Sequence, residues 1–240
     1  MTQRSIMAGQ TPKVIVHAGG SVSVEGWESD RVQADTDSRR GLKVERHSAS
    51  EFGRARAKVG DRVLFDVRLN VPNLLKKNTG GEVIDVQIGG SGTVHVPSGS
   101  QVKVYGGMSV DVRQIRGTVT VYAGSDVTIR QVNSLVHASA GGKMDFECDA
   151  IEGNDAKFAA GRDLRCYIKS LANAKVMVND LGGYWEAILG DGQTRLRLEA
   201  GGDATLVTDQ AVNAQPPQYV LGKVERPPGP IAANNPTGDA

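Results

Sequence analysis

Apolar side chains occupy every second position in short runs along most of this chain, and glycine turns punctuate the runs. Between residues 102 and 207 the runs repeat as a phrase. Its copies read QVKVYGGMSVDVRQIRG, TVTVYAGSDVTIRQVNS, LVHASAGGKMDFECDAIEGN and AKFAAGRDLRCYIKSLAN. Val110, Val127, Met144 and Leu164 mark equivalent positions, so the step is 17, 17 and then 20 residues. Their partners two positions on are Val112, Ile129, Phe146 and Cys166. The other strand of each repeat aligns Val102, Val119, Val136, Ala156 and Val176, with Val104, Val121, Ala138, Phe158 and Val178 two positions later. Alternation with period two predicts strands. A repeat of this length predicts an all-β, single-chain β-solenoid with two main strands per rung, because a rung buries its apolar row only against the next rung. At about 4.8 Å per rung, six or seven rungs would make a rod on the order of 30 Å long. A second apolar row, Ile115, Val132, Ile151 and Leu171, is expected to fill a corner of each rung.

The same pattern divides the chain. Residues 1–12 read as a flexible arm. Residues 13–81 read as a strand-rich N-terminal part of the solenoid, with short strands at Val14–His17, Ser21–Glu25, Arg31–Thr36 and Leu42–Arg46 and a longer one at Arg62–Val71. The regular repeat covers 82–211. Residues 212–240 hold six of the nine prolines, in QPPQ, RPPGP and NNPT, and read as a disordered tail because proline withdraws donors from a ladder. No convincing amphipathic helix is found.

Composition narrows the picture. Thirty glycines, valine-dominated apolar positions and few aromatics suit tight turns and a narrow core. With 28 basic and 27 acidic side chains, no global field favours nucleic acid or an anionic membrane. The N-terminal residues lack a signal-peptide apolar stretch, and no run is long enough for a spanning helix, so a cytoplasmic protein without membrane insertion is expected. Cys148 and Cys166 are too few for a disulfide framework. They are read as buried thiols acting as small hydrophobes, ahead of a labile disulfide or a shared metal.

The phrases VHAGGSVSVEGWESDRVQADT near the start and VHVPSGSQVKVYGGMSVDVRQIRGTVTVYAGSDVTI at 94–129 resemble the putative-adhesin β-solenoid family, a bacterial domain of unknown function. The likeness covers roughly residues 14–208 and includes the pair Gly26-Trp27. It implies the solenoid fold and carries no catalytic residues. A looser likeness of architecture is to bactofilins, solenoids that polymerise end to end.

Candidate chemistry is sparse. Gly89-Gly90-Ser91-Gly92 leads into another strand rather than a helix, so it is a turn and not a phosphate loop. His17, His47, His95 and His137 lack metal-ligand spacing. Ser98 and Ser100 lack a nucleophile elbow. Asp111, Asp126, Asp145 and Asp163 recur at one turn beside Arg113, Arg130, Lys143, Arg162 and Arg165. A solvated charge ladder is the favoured reading, ahead of a cation or glycan surface and of catalysis. Trp27, Tyr184 and Trp185 are the aromatic candidates for sealing a rod end or stacking on a ligand.

No cofactor, metal or enzymatic activity is expected. The function favoured by the sequence is a structural scaffold that self-associates through solenoid ends or sheet edges, hence a homo-oligomer. The alternative is a module that binds a glycan or a protein, through its flat strand faces or its Pro-rich tail.

Overall fold

A computed structural model describes residues 1–38, 41–48, 57–59, 62–65, 82–151, 155–171, 174–181, 183–188, 194–207 and 224–225. The strands are β1 (Thr2–Met7), β2 (Lys13–Ala18), β3 (Val22–Trp27), β4 (Arg31–Thr36), β5 (Leu42–Ser48), β6 (Ala57–Val59) and β7 (Arg62–Phe65). They continue with β8 (Glu82–Ile88), β9 (Gly92–Pro97), β10 (Gln101–Gly106), β11 (Val110–Arg113), β12 (Thr118–Ala123), β13 (Val127–Ala140) and β14 (Met144–Ile151). Last come β15 (Asp155–Ala160), β16 (Leu164–Ser170), β17 (Ala174–Asp180), β18 (Gly183–Ile188), β19 (Thr194–Ala200), β20 (Ala204–Val207) and β21 (Val224–Glu225). All regular structure among the described residues is β. Nineteen strands join one mixed sheet that does not close into a barrel, and β6 and β7 pair separately. No helix among the described residues is long and apolar enough to cross a membrane.

Within the large sheet the pairings form two ladders. The first runs β5, β8, β2, β10, β12, β13, β15, β19, β17, β18. The second runs β1, β4, β9, β3, β11, β13, β14, β16, β20, β21. Interior pairs are parallel. Antiparallel strands finish one end through β5, β4 and β1, and β18 finishes the first ladder at the other. One turn joins a strand of the first ladder to a strand of the second, and such a pair is here termed a tier.

The 17-residue step appears directly as register: Val110 faces Val127, Val127 faces Met144, and Met144 faces Leu164. Val112, Ile129, Phe146 and Cys166 face one another in the same way, and all eight residues are buried in one core with Val119, Val121, Phe158, Val176 and Val178. Phe146 and Phe158 meet inside it at 4.7 Å between ring centroids. The corner row is also present, with Ile115, Val132 and Leu171 buried and Ile151 partly so.

Three features depart from the sequence reading. First, the register slips by one residue after Val119, which therefore faces Leu135 while Thr120 faces His137. Leu135 takes the core position assigned to Val136, whose side chain lies outside the described residues. Such a bulge adds one residue to one strand and shifts every later side chain to the other face, so spacing alone misplaces the position. Second, residues 1–12 hold β1, whose side chains are almost all exposed. An edge strand of that kind leaves no alternation to read. Third, Val224 and Glu225 of the tail pair with Leu206 and Val207. The rest of 212–240, and residues 66–71 of the expected strand Arg62–Val71, lie outside the described residues.

Tier order does not follow chain order. The β2–β3 tier sits between the β8–β9 and β10–β11 tiers, and β19 sits between β15 and β17. A column of glycines records the same order independently. A Cβ on Gly107 would overlap the carbonyl oxygen of Gly19. Gly124 meets Gly107 in the same way, Gly141 meets Gly124, Gly161 meets Gly141, and Gly201 meets Gly161. These turns approach so closely that any side chain would strike backbone.

Candidate functional site

Strand β3 ends on Gly26 and Trp27, and the glycine has a local cause. A Cβ there would collide with the carbonyl of Gln114, so glycine lets the turn after β11 press against β3. Gln114 and Gln131 occupy equivalent positions, one step apart, and both hold a positive φ, 58° and 55°. That conformation costs a non-glycine residue about 1–2 kcal/mol. Backbone strain of this kind collects where a side chain must be held in one place.

Both glutamines line a corner groove of about 550 Å³ with Glu25, Trp27, Glu28, His95, Arg116 and Asn133. The Trp27 indole is fixed at its polar end, Nε1 donating to the carbonyl oxygen of Arg31 at 2.8 Å. Its ring lies 5.2 Å from that of His95. Glu28 accepts from Ser98 Oγ at 3.2 Å and pairs with Arg116 at 2.6 Å. Both members of that pair are largely exposed, so it orients the carboxylate more than it stabilises the fold.

A second groove, of about 690 Å³, adjoins the first across the same outward surface. Ser23 and Thr93 line it one pleat away from Glu25 and His95, with Ser21, Ser91, Ser109 and Thr128 adding hydroxyls. Asp35, Asp37, Asp111 and Asp126 supply carboxylates. His95 stands at the junction, Nε2 at 3.8 Å from Glu25 Oε2 and Nδ1 at 4.0 Å from Asp35 Oδ2. Neither buried His95 Nδ1 nor buried Asp35 Oδ1 has a hydrogen-bond partner. Unpaired buried polar atoms are costly, and they mark places where a bound group would be welcomed.

The first ladder carries a different feature. His17, Tyr105 and Tyr122 stack in successive tiers at 4.9 and 5.1 Å between centroids, and His137 follows at 5.1 Å with its ring tilted by 38°. Lys103 Nζ lies 5.2 and 5.6 Å from the two tyrosine rings. Burial pushes both histidines down, for His17 against the pull of Asp85, and pushes both phenols up. Rings stacked along a ladder turn their faces to one another and their edges to solvent. The column therefore offers no flat platform and reads as a structural stack, worth about 0.5–1.5 kcal/mol per pair.

The recurrent acidic residues behave as a paired charge ladder. Arg113 grips Asp111 through two hydrogen bonds, Lys143 pairs with Asp163 at 3.1 Å, Arg130 approaches Asp145 at 3.9 Å, and Asp126 accepts from the Lys143 amide. The Lys143 contact holds the Asp163 carboxyl below its usual range. Among the described residues no group of three or more His, Cys, Asp or Glu is placed to hold a metal ion. Both cysteines are free and buried, and burial pushes the Cys148 thiol up to about 12 and that of Cys166 well above its ordinary value.

Of the aromatic candidates, Trp27 lies in the corner groove. Tyr184 is 59% exposed on β18 at the far end of the first ladder, and Trp185 pairs there through its backbone with Val178, its side chain lying outside the described residues. The structure does not bring Trp27 and Tyr184 together. The sequence singles out none of Glu28, Gln114, Gln131 and Asp35, and offers His95 only as a metal ligand without the spacing for one. The phrases VRQI and IRQV, one step apart, carried the signal for the two glutamines.

No family model and no curated protein matches the chain. Among solved structures the chain is similar to a putative cell adhesion protein from Clostridium sporogenes ATCC 15579, at 12% identity and a TM-score of 0.40 over 86% of this chain and 98% of that chain. These findings give the bactofilin likeness no support.

Proposed function

We propose that the chain is a non-enzymatic, adhesin-like β-solenoid module that binds a glycan in the corner groove around Trp27. The two ladders are then two faces of one coil, a reading supported by the parallel register and the glycine column. The observation that carries the function is the Trp27 ring, anchored at Nε1 and surrounded by acid, amide and guanidinium groups. Saccharides present an apolar face of C–H groups rimmed by hydroxyls. An aromatic ring beside Glu25, Glu28, Gln114 and Gln131 offers the matching apolar surface and rim of donors and acceptors. The self-associating scaffold is less well motivated. At the β1 end the core is covered by antiparallel strands whose Ile6 and Val44 pack against it, and β1 itself exposes polar side chains.

The test is glycan-array screening followed by calorimetry on the native chain. Trp27→Ala is expected to weaken binding at least tenfold, with Tyr184→Ala neutral. A chain that captures no glycan, or one bound equally well after Trp27→Ala, would remove this reading.

A further inference from the structure

We infer that the glycan is cationic: a chain of amino sugars carrying free amines, running from Trp27 across His95 to a subsite at Asp35. The inference rests on the glycan reading above and adds the charge and direction of the ligand. Its first support is continuity. Ser23 and Glu25 point outward from β3 as successive residues of one face, as do Thr93 and His95 from β9, and each pair divides between the two grooves. A ligand longer than one sugar can therefore lie across both.

The second support is charge. The hydroxyl-lined groove presents four carboxylates against one cation, the Met1 ammonium 3.5 Å from Asp37, and the corner groove presents two glutamates against Arg116, which is already paired with Glu28. Arg113 offsets Asp111 from outside the lining. This excess of negative charge sits on a protein of formal net charge +1, so it belongs to the site and not to the molecule. It repels uronate, sulfate and phosphate chains, and it attracts ammonium groups.

The third support is Asp35 itself. The residue is only 7% exposed, lines the groove, and has no donor for Oδ1. Its other oxygen, among the described residues, accepts from Gln33 Nε2 at 3.2 Å and lies 4.0 Å from His95 Nδ1, beyond hydrogen-bond distance. A carboxylate held this way lacks a cationic partner at hydrogen-bond distance. A sugar ammonium supplies a charge-assisted donor, the stronger kind. The serine and threonine hydroxyls around it suit the ring hydroxyls of a saccharide and give a basic peptide nothing specific to meet.

The experiment is calorimetric titration of the full chain with glucosamine hexamers bearing free amines, their fully N-acetylated counterpart, galacturonate hexamers and hexalysine. Each is run at low and at high salt. The expected result is binding of the amine hexamer at least tenfold tighter than the acetylated one, weakened by salt, with no binding of galacturonate. Asp35→Asn is expected to cost about tenfold for the amine hexamer and little for the acetylated one. Asp111→Asn, at a more exposed position, serves as the second variant, and circular dichroism confirms that both fold. Equal or tighter binding of the acetylated hexamer overturns the cationic inference and leaves the glycan reading standing. So does an affinity untouched by both aspartate variants. Hexalysine bound as tightly as the amine hexamer, and indifferent to Trp27→Ala, overturns it in favour of a general polycation sink. Binding of no sugar at all removes both readings.

Discussion

Burial holds two histidines and two thiols uncharged, and this sets a pH window. His17 and His137 have lowered pKa values, so the unfolded chain takes up their protons first, from about pH 6.5 downward. Stability is present above that value and is lost as pH falls through it. Cys148 and Cys166 have raised values, so the unfolded chain ionises them from about pH 8.5 while the folded chain cannot. Their stabilisation is complete below that value and falls as pH rises toward 12, with Tyr105 and Tyr122 adding the same sign at higher pH. Urea midpoints measured from pH 5 to 10 should therefore show a plateau between roughly 6.5 and 8.5, declining on both sides. A monotonic profile would contradict the burial of one group or the other. Residues at this scale were unevenly legible. The core ladder was plain because period two separates inside from outside. Gln114 and Gln131 were visible only as a repeated dipeptide, since a positive φ on glutamine has no compositional mark.

Strands and turns were the best predicted objects. The strands β3, β10 to β12 and β14 to β16 follow the alternation closely, because each has one buried face. By contrast, β2 buries Val14, Ile15 and Val16 in succession and β4 buries Ala34, Asp35 and Thr36. What alternation cannot register is a feature without a buried face, such as β1, or one that changes the phase, such as the bulge beside Val119. The glycine column shows the complementary case. Its members were read as turns, but their pairing across tiers is a property of the stack. Gly124→Ala puts a Cβ onto the Gly107 carbonyl, and Gly141 must then shift with it. Overpacking of this kind costs about 1–3 kcal/mol, and backbone gives way less readily than side chains. Chemical denaturation should show Gly124→Ala destabilised by at least that much, whereas alanine at Gly9, where nothing lies within 4 Å of a Cβ, meets only the strain of its φ of 70°. Equal losses at the two positions would mean that the turns do not stack as described.

At the scale of the molecule, the sequence displayed the repeat and concealed its order. Alternation specifies which face of a strand is buried and says nothing about which neighbour covers it. The corner groove suffered from the same blindness: Trp27 and His95 meet only because β3 lies beside β9, and their chain separation hides the contact. In an array stacked in chain order, removing terminal repeats shortens the rod and leaves the remainder folded. Here, deleting residues 1–48 removes an interior tier and parts β8 and β9 from β10 and β11. Thermal unfolding of such a fragment should show no cooperative transition. A fragment melting within a few degrees of the intact chain would refute the interleaved order.

That interleaving bears on how the chain is made. When the ribosome has released residue 27, neither strand pair that will flank β2 and β3 has yet been translated, and the first of them is complete only at residue 97. Those intervening residues take on the order of 4–14 s to synthesise at about 5–20 residues per second. Throughout that interval two valine-rich strands wait with both parallel edges open. Nascent-chain folding cannot proceed outward from the N-terminus, and the segment most exposed to mispairing on the ribosome is the one that ends in Trp27.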